Sequence, residues 1–201
     1  KNIIQLISNI IVIMINNHED TGYLELFIGP MWSGKTSELI KIHKIYSFNN
    51  TPITSINYIG DNEEQIISHD NIIIPCVSFK NLKDYCDILN NKINDDFNNS
   101  KIILINEAQF FSDIVEWVIC AVESHNKTVY LCGLDGDYSR KNFGNWLELI
   151  PFCDKVTKLQ SICGICKERY AIFTKRKTSK TEQLIIGTED YMPVCRKCYC
   201  S

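Results

Sequence analysis

The chain has 201 residues, a formal net charge of −3 at pH 7, 45% hydrophobic residues and 10 cysteines. That length supports one substantial core with a small appendage. The lack of a basic excess argues against a dedicated nucleic-acid binder, so no nucleic-acid partner is expected. Abundant Asn and Ile beside scarce Ala and Gly read as AT-rich coding bias.

Residues 1–21 read as an N-terminal extension without ordered structure. The stretch from Ile3 to Ile15 is apolar but broken by Gln5, Ser8 and Asn9. It is too short and interrupted for a membrane span and lacks the small-residue cleavage site of a signal peptide. Residues 1–13 are read as an upstream segment, with Met14 opening a short polar lead to the first strand.

That strand is Tyr23 to Ile28, rich in aromatic and branched residues. It runs into Gly29-Pro30-Met31-Trp32-Ser33-Gly34-Lys35-Thr36, which fits G-x-x-x-x-G-K-[ST] at every fixed position. Thr36 to Tyr46 then carries Leu39, Ile40, Ile42 and Ile45 at helical spacing. Strand, glycine loop and helix N-terminus are the context the motif needs. Glycines let backbone N–H groups converge on phosphate oxygens, and the helix end adds partial positive charge. Lys35 can reach the β/γ-phosphates, and the Thr36 hydroxyl can ligate Mg²⁺.

Asn49-Asn50-Thr51-Pro52 marks a turn, and Ile53 to Ile59 a second strand. Asp61 to Asp70 is polar and reads as a loop. Ile72 to Val77 reads as a short strand, Phe79 to Leu89 as a helix, and Asn90 to Ser100 as a polar connection. Ile102-Ile103-Leu104-Ile105 is wholly apolar, as a strand buried on both faces would be. A helix is expected over Ile114 to Ser124, and a strand over Thr128 to Cys132. Strands alternating with helices predict an α/β fold, a parallel sheet of the P-loop, RecA-like kind flanked by helices.

The apolar strand ends in Asn106-Glu107-Ala108-Gln109-Phe110-Phe111. At such a strand end an acidic residue can hold Mg²⁺, and a second carboxylate can act as general base toward a substrate hydroxyl. Glu107 serves one of these purposes or only caps the following helix. The run from Gly133 to Phe143 combines turn glycines, the cations Arg140-Lys141 and aromatic residues. Arg140-Lys141 reads equally well as a phosphate-facing or a solvated surface pair.

The pattern changes near Pro151. The phosphate-loop unit is bounded at 22–152 and a second, turn-rich unit at 153–201. The second unit contains Cys163-Gly164-Ile165-Cys166 and Cys195-Arg196-Lys197-Cys198. Each pair lets two thiolates face one ion, and Cys163, Cys166, Cys195 and Cys198 together predict a closed structural Zn²⁺ site. Scattered core cysteines are the alternative. The intervening loop of about 28 residues exceeds the commonest zinc-ribbon spacing, and a metal clip would offset part of its ordering cost. Its basic run, Thr174-Lys175-Arg176-Lys177, leaves open a nucleic-acid contact. A phosphate loop and paired cysteines point to a reducing, cytoplasmic setting. Cys76, Cys86, Cys120, Cys132, Cys153 and Cys200 are expected as small apolar residues near the core. The four histidines, His18, His43, His69 and His125, show no ligand spacing.

With these motifs in order, the chain resembles the type II thymidine kinases of cells, bacteria and large DNA viruses. The resemblance runs from about Tyr23 to Tyr199. It rests on Gly-Pro-Met-Trp-Ser-Gly-Lys-Thr, Glu-Ala-Gln-Phe-Phe followed by Asp-Ile-Val-Glu, and Leu-Asp-Gly-x-Tyr-x-Arg-Lys-x-Phe-Gly. It continues in Lys-Leu-x-x-x-Cys-x-x-Cys, Thr-Lys-Arg and Ile-Gly-x-x-x-Tyr-x-x-x-Cys-x-x-Cys-Tyr.

The resemblance implies transfer of the ATP γ-phosphoryl group to the 5′-hydroxyl of thymidine, with Glu107 as general base. ATP and Mg²⁺ would be met by Gly29, Met31, Ser33, Gly34, Lys35, Thr36, Asn106, Gln109 and Arg140. Met31, Phe110, Leu134, Tyr138, Phe143, Thr174 and Tyr191 would surround the nucleoside. The loop between the cysteine pairs would be a lasso over the base, and the subunits would form a homotetramer. The chain departs from the family pattern at Asn106, where an Asp is usual, and at Asp61-Asn62-Glu63, which lacks a following Arg. It also has Ile186-Gly187 where Gly-Gly is common. These departures define the alternative reading, a catalytically weakened nucleotide-binding relative with a regulatory or assembly role.

Overall fold

A computed structural model describes residues 21–59, 64–178 and 190–201. The extension before residue 21, the departure at 61–63 and Ile186-Gly187 lie outside the described residues.

The centre is a six-stranded sheet. Its strands are β1 (Tyr23–Gly29), β2 (Ile53–Tyr58), β5 (Val77–Phe79), β6 (Ile102–Ile105), β7 (Thr128–Leu134) and β8 (Lys155–Lys158). Their spatial order is β5-β2-β6-β7-β1-β8, and every neighbouring pair is parallel. The expected parallel α/β sheet is therefore present. It extends past the boundary expected at 152/153, because β8 pairs with β1 from Glu25↔Lys155 to Ile28↔Lys158.

The alternation of side chains explains the layers. Leu24, Leu26 and Ile28 of β1, Ile103 and Ile105 of β6, and Val129 and Leu131 of β7 face one core. Phe27, Ile102, Leu104 and Cys132 face the other. The first core is closed by α4 (Ile114–Ile119), whose Trp117 is wholly buried, and by a 3₁₀ segment, Trp146–Phe152, whose Trp146 is wholly buried. The second is closed by α1 (Lys35–Phe48) through Leu39 and Tyr46. Each fully buried aliphatic side chain here contributes about 1.5–3 kcal/mol. Two-faced burial is why β6 is apolar at every position.

Between β2 and β6 the chain differs from expectation. The stretch read as a loop holds β3 (Gln65–Ile67), which pairs antiparallel with β4 (Ile73–Pro75). The strand expected over 72–77 is split at Cys76 into β4 and β5. This hairpin packs Ile66 and Ile74 on Ile40 of α1, a long-range contact that propensity does not reveal. The helix expected over 79–89 is one turn, α2 (Leu82–Tyr85), followed by a 3₁₀ turn at Ile88–Asn90. The polar connection contains α3 (Asp95–Asn99), capped by Asn94, whose side chain accepts from Phe97 N. After α4 the chain widens into a π turn over Cys120–Ser124.

The C-terminal unit is small. It consists of β9 (Ser161–Ile162) paired with β10 (Tyr170–Ala171), β11 (Phe173–Arg176) paired with β12 (Tyr191–Val194), and the terminal α5 (Arg196–Cys200). All ten cysteines are free thiols. No helix among the described residues is long and apolar enough to cross a membrane.

Candidate active site

In a parallel sheet every strand ends at the same edge, and there the candidate residues meet. Gly29 and Leu134 are paired at the ends of β1 and β7, and Ile105 ends β6 on the far side of β7. The phosphate loop follows β1. Gly34 has φ 84°, a left-handed conformation in which an added Cβ would meet nothing, so the need for glycine is conformational. Ser33 Oγ donates to the Pro30 carbonyl at 2.8 Å and closes the loop on itself. Lys35 Nζ donates to the same carbonyl at 2.7 Å. Burial lowers the Lys35 pKa, while Glu107, Cys132 and Asp135 act to raise it. Thr36 is the second residue of α1.

Glu107 stands just beyond β6 with φ 55° and ψ 43°, and opens the 3₁₀ turn Ala108–Phe110. A non-glycine residue in this region is uncommon and gathers at functional sites. Gln109 Nε2 donates to Glu107 Oε2 at 2.6 Å, and Gln109 Oε1 accepts from Leu134 N at 3.0 Å. Asn106 is buried in a network across three strand ends. Its Nδ2 donates to Asn57 Oδ1 at 3.0 Å, and its Oδ1 accepts from Cys132 Sγ at 3.0 Å. Burial pushes the Cys132 thiol up to about 12, so it remains a donor.

The residues expected around a nucleoside form three groups. Met31 N donates to Thr174 Oγ1 at 3.1 Å, joining the phosphate loop to β11. Phe110 and Phe143 meet edge-on with ring centroids 5.4 Å apart, and Tyr58 lies 5.0 Å from Phe110. The Arg176 guanidinium lies 3.8 Å over the Tyr138 ring, and its Nη2 donates to Tyr191 Oη at 2.6 Å. Leu134 is held by its N–H to Gln109 and by its carbonyl, which accepts from Trp146 Nε1 at 3.0 Å. Arg140 is exposed, and its guanidinium lies over Tyr199 and Phe173, 4.3 and 5.3 Å from their centroids. Tyr199 Oη also donates to the Tyr138 carbonyl at 2.8 Å, docking α5 on this loop.

The four cysteines of the two pairs converge. Sγ of Cys163, Cys166, Cys195 and Cys198 all lie within 4.8 Å of one another, with Cys166 and Cys195 at 3.9 Å. A tetrahedral ion with bonds of about 2.3 Å separates its sulfurs by about 3.8 Å, so the spacing fits such an ion. Burial raises the Cys163 thiol, but backbone N–H groups of Cys166, Cys195 and Ile165 outweigh it and bring the group down to about 6. Cys198 is pushed up to about 12 by burial and by the three neighbouring cysteines. Four thiolates this close repel one another, and a divalent cation relieves that repulsion.

The chain is similar to known proteins over nearly the whole of its described length. The family model described as thymidine kinase matches residues 22–199. A thymidine kinase of Sheeppox virus (strain KS-1) is 39% identical over 183 residues, covering 90% of this chain and 98% of that one. The chain belongs to the thymidine kinase family. A thymidine kinase of Oryza sativa subsp. japonica is 37% identical over 89% of this chain; the match spans 66% of the rice protein, just under two thirds. Thymidine kinase a of Arabidopsis thaliana is 36% identical, with 89% of this chain and 75% of that one covered. Family membership makes the chain a kinase and carries thymidine phosphorylation as its function.

Several residues at this kinase site escaped the sequence reading. Asn57 and Tyr58 end β2 beside Asn106 and Phe110. Their position at the carboxyl end of a parallel strand was the available signal. Arg176 was quoted only within a basic run, and nothing local indicates that it packs on Tyr138.

Proposed function

We propose that the protein transfers the γ-phosphoryl group of ATP to the 5′-hydroxyl of thymidine. The carrying observation is a carboxylate, Glu107, held at the strand edge that also presents the phosphate loop and Lys35. Glu107 takes the 5′-hydroxyl proton, the freed oxygen attacks the γ-phosphorus, and ADP leaves with the bridging oxygen. Backbone N–H groups of residues 32–35 and the Lys35 ammonium receive the phosphate charge once Lys35 lets go of Pro30. Thr36 and the phosphates would hold Mg²⁺, which neutralises charge as it builds on the transferring group. Asn106 offers an amide oxygen where a second carboxylate would otherwise stand. Met31, Phe110, Leu134, Tyr138, Phe143, Thr174 and Tyr191 line the nucleoside side. Arg140 serves the phosphates, as the family resemblance implies.

Structural Zn²⁺ on Cys163, Cys166, Cys195 and Cys198, a homotetramer and a cytoplasmic setting complete the reading. The sulfur spacing supports the zinc; the family resemblance supports the tetramer; the free thiols agree with a reducing compartment. The weakened-relative alternative is not favoured, because Lys35, Thr36 and Glu107 are all in place.

The test is ATP-dependent phosphorylation of thymidine, deoxyuridine and deoxycytidine by the purified protein. Glu107→Gln is expected to bind thymidine and lose about 10²–10⁴-fold in kcat. An unchanged kcat in that variant removes Glu107 from the reaction.

A further inference from the structure

Gln109 is almost wholly buried and sits two residues beyond Glu107, on the turn that follows β6. Its amide joins two groups of opposite need. The Glu107 carboxylate requires a donor, and the Leu134 backbone N–H requires an acceptor, so the orientation of the amide is determined by its partners. The donated bond is 2.6 Å, in the short range of charge-assisted contacts. Two glycines from separate segments make room for this side chain and its backbone. A Cβ on Gly133 of β7 would lie 2.6 Å from Gln109 Oε1, and one on Gly144 would collide with the Gln109 carbonyl oxygen. The amide is thereby anchored to β7, which lies between the Glu107 strand and the phosphate-loop strand.

From this geometry we infer that Gln109 is a positioning residue for Glu107: it ties the carboxylate to the end of β7 and aims it at the substrate hydroxyl. Among the described residues, the Gln109 amide is the one side chain hydrogen-bonded to the partly exposed Glu107 carboxylate. Without it the carboxylate samples rotamers in which no proton transfer is possible. Both side-chain ends of Gln109 are already engaged within the protein, so its contribution to the phosphates is indirect. The inference rests on Glu107 being the base.

Two variants separate the possibilities. In Gln109→Glu an oxygen still accepts from Leu134 N, but the donor to Glu107 is replaced by a second carboxyl group. Gln109→Met keeps the length and removes both bonds. Misplacement of a reacting group can cost on the order of 10²-fold, so kcat is expected to fall about 10- to 100-fold in both variants. KM for thymidine and for ATP should stay within about threefold of the parent. The kcat–pH profile of Gln109→Glu should gain an ionisation that the parent and Gln109→Met lack, because adjacent carboxyl groups share a proton. Gln109→Glu decides the matter if Gln109→Met fails to fold. A kcat within about twofold of the parent with an unchanged profile overturns the inference, as does a loss confined to KM for ATP, which would put Gln109 on the phosphates. Glu107→Gln is measured alongside. If it alone loses kcat, the base reading stands and only the positioning role fails.

Discussion

Lys35 shows how much one side chain depends on its setting. Its ammonium is held by the Pro30 carbonyl, inside the curl of the phosphate loop. Burial favours the neutral amine, and the nearby Glu107, Cys132 and Asp135 only partly offset that preference. The charged form, which phosphate needs, exists below the folded pKa and disappears above it. Because that pKa is lowered, ATP binding is expected to weaken on the alkaline side sooner than an exposed lysine, with a pKa of about 10.4, would allow. Titrating the ATP dissociation constant from about pH 7 to about pH 10.5 tests this against the free-lysine curve. Bound phosphate pulls the group back toward its charged form, so ATP should also protect Lys35 from amine-reactive labelling. A flat titration would show that the ammonium is not the groove's main cation.

At the scale of elements, the ends of β2, β6 and β7 act together. Asn57, Asn106 and Cys132 form one neutral hydrogen-bonded chain across three adjacent strands. Such a chain is cheap to bury because both polar atoms of the Asn106 amide have partners in it. It also explains how an amide is accommodated at Asn106. In Asn106→Asp, the Cys132 thiol can still donate to an oxygen, and Asn57 keeps its contact by turning its amide so that Nδ2 donates. The fold is therefore expected to survive, and the added charge is what a hard cation responds to. The Mg²⁺ concentration for half-maximal rate should fall several-fold, with KM for thymidine nearly unchanged. The same Mg²⁺ dependence in both proteins would place residue 106 outside the metal's reach.

For the whole molecule, the C-terminal unit is tied to the sheet at points that matter to the site. Thr174 of β11 receives the Met31 N–H, Tyr199 of α5 holds the Tyr138 carbonyl, and Arg176 lies over Tyr138. Tyr199 directly follows Cys198, so a metal ion on the four thiolates would be mechanically linked to the geometry of the Tyr138 loop. Freshly purified reduced protein is expected to contain about one zinc per chain by elemental analysis. Cys163→Ser should lose it. Hydrogen exchange should then speed up in β11 and β12 while β6 stays protected, because the main core lies elsewhere. Thymidine affinity should fall more than ATP affinity. Zinc-free protein with full protection in β11 would show that the four cysteines serve only as packing.

The sequence by itself determined the parts whose physics is local. The glycine loop needs a strand before it and a helix after it, and Tyr23–Gly29 and Lys35–Phe48 supply them. An unbroken apolar run must be buried on both faces, and Ile102–Ile105 is. Paired thiols with two residues between them can face one ion, and Cys163, Cys166, Cys195 and Cys198 converge. Tertiary structure decided what depends on distant partners. The β3–β4 hairpin forms because Ile66 and Ile74 find Ile40, and the polar stretch before it carries no local sign of that contact. β8 joins the main sheet because β1 offers it an edge. The roles of Asn57, Arg176 and Gln109 follow from neighbours that lie 49, 15 and 25 residues away along the chain. A hydrogen bond between groups so far apart exists only once the strands have assembled, which is why no spacing rule could have named it.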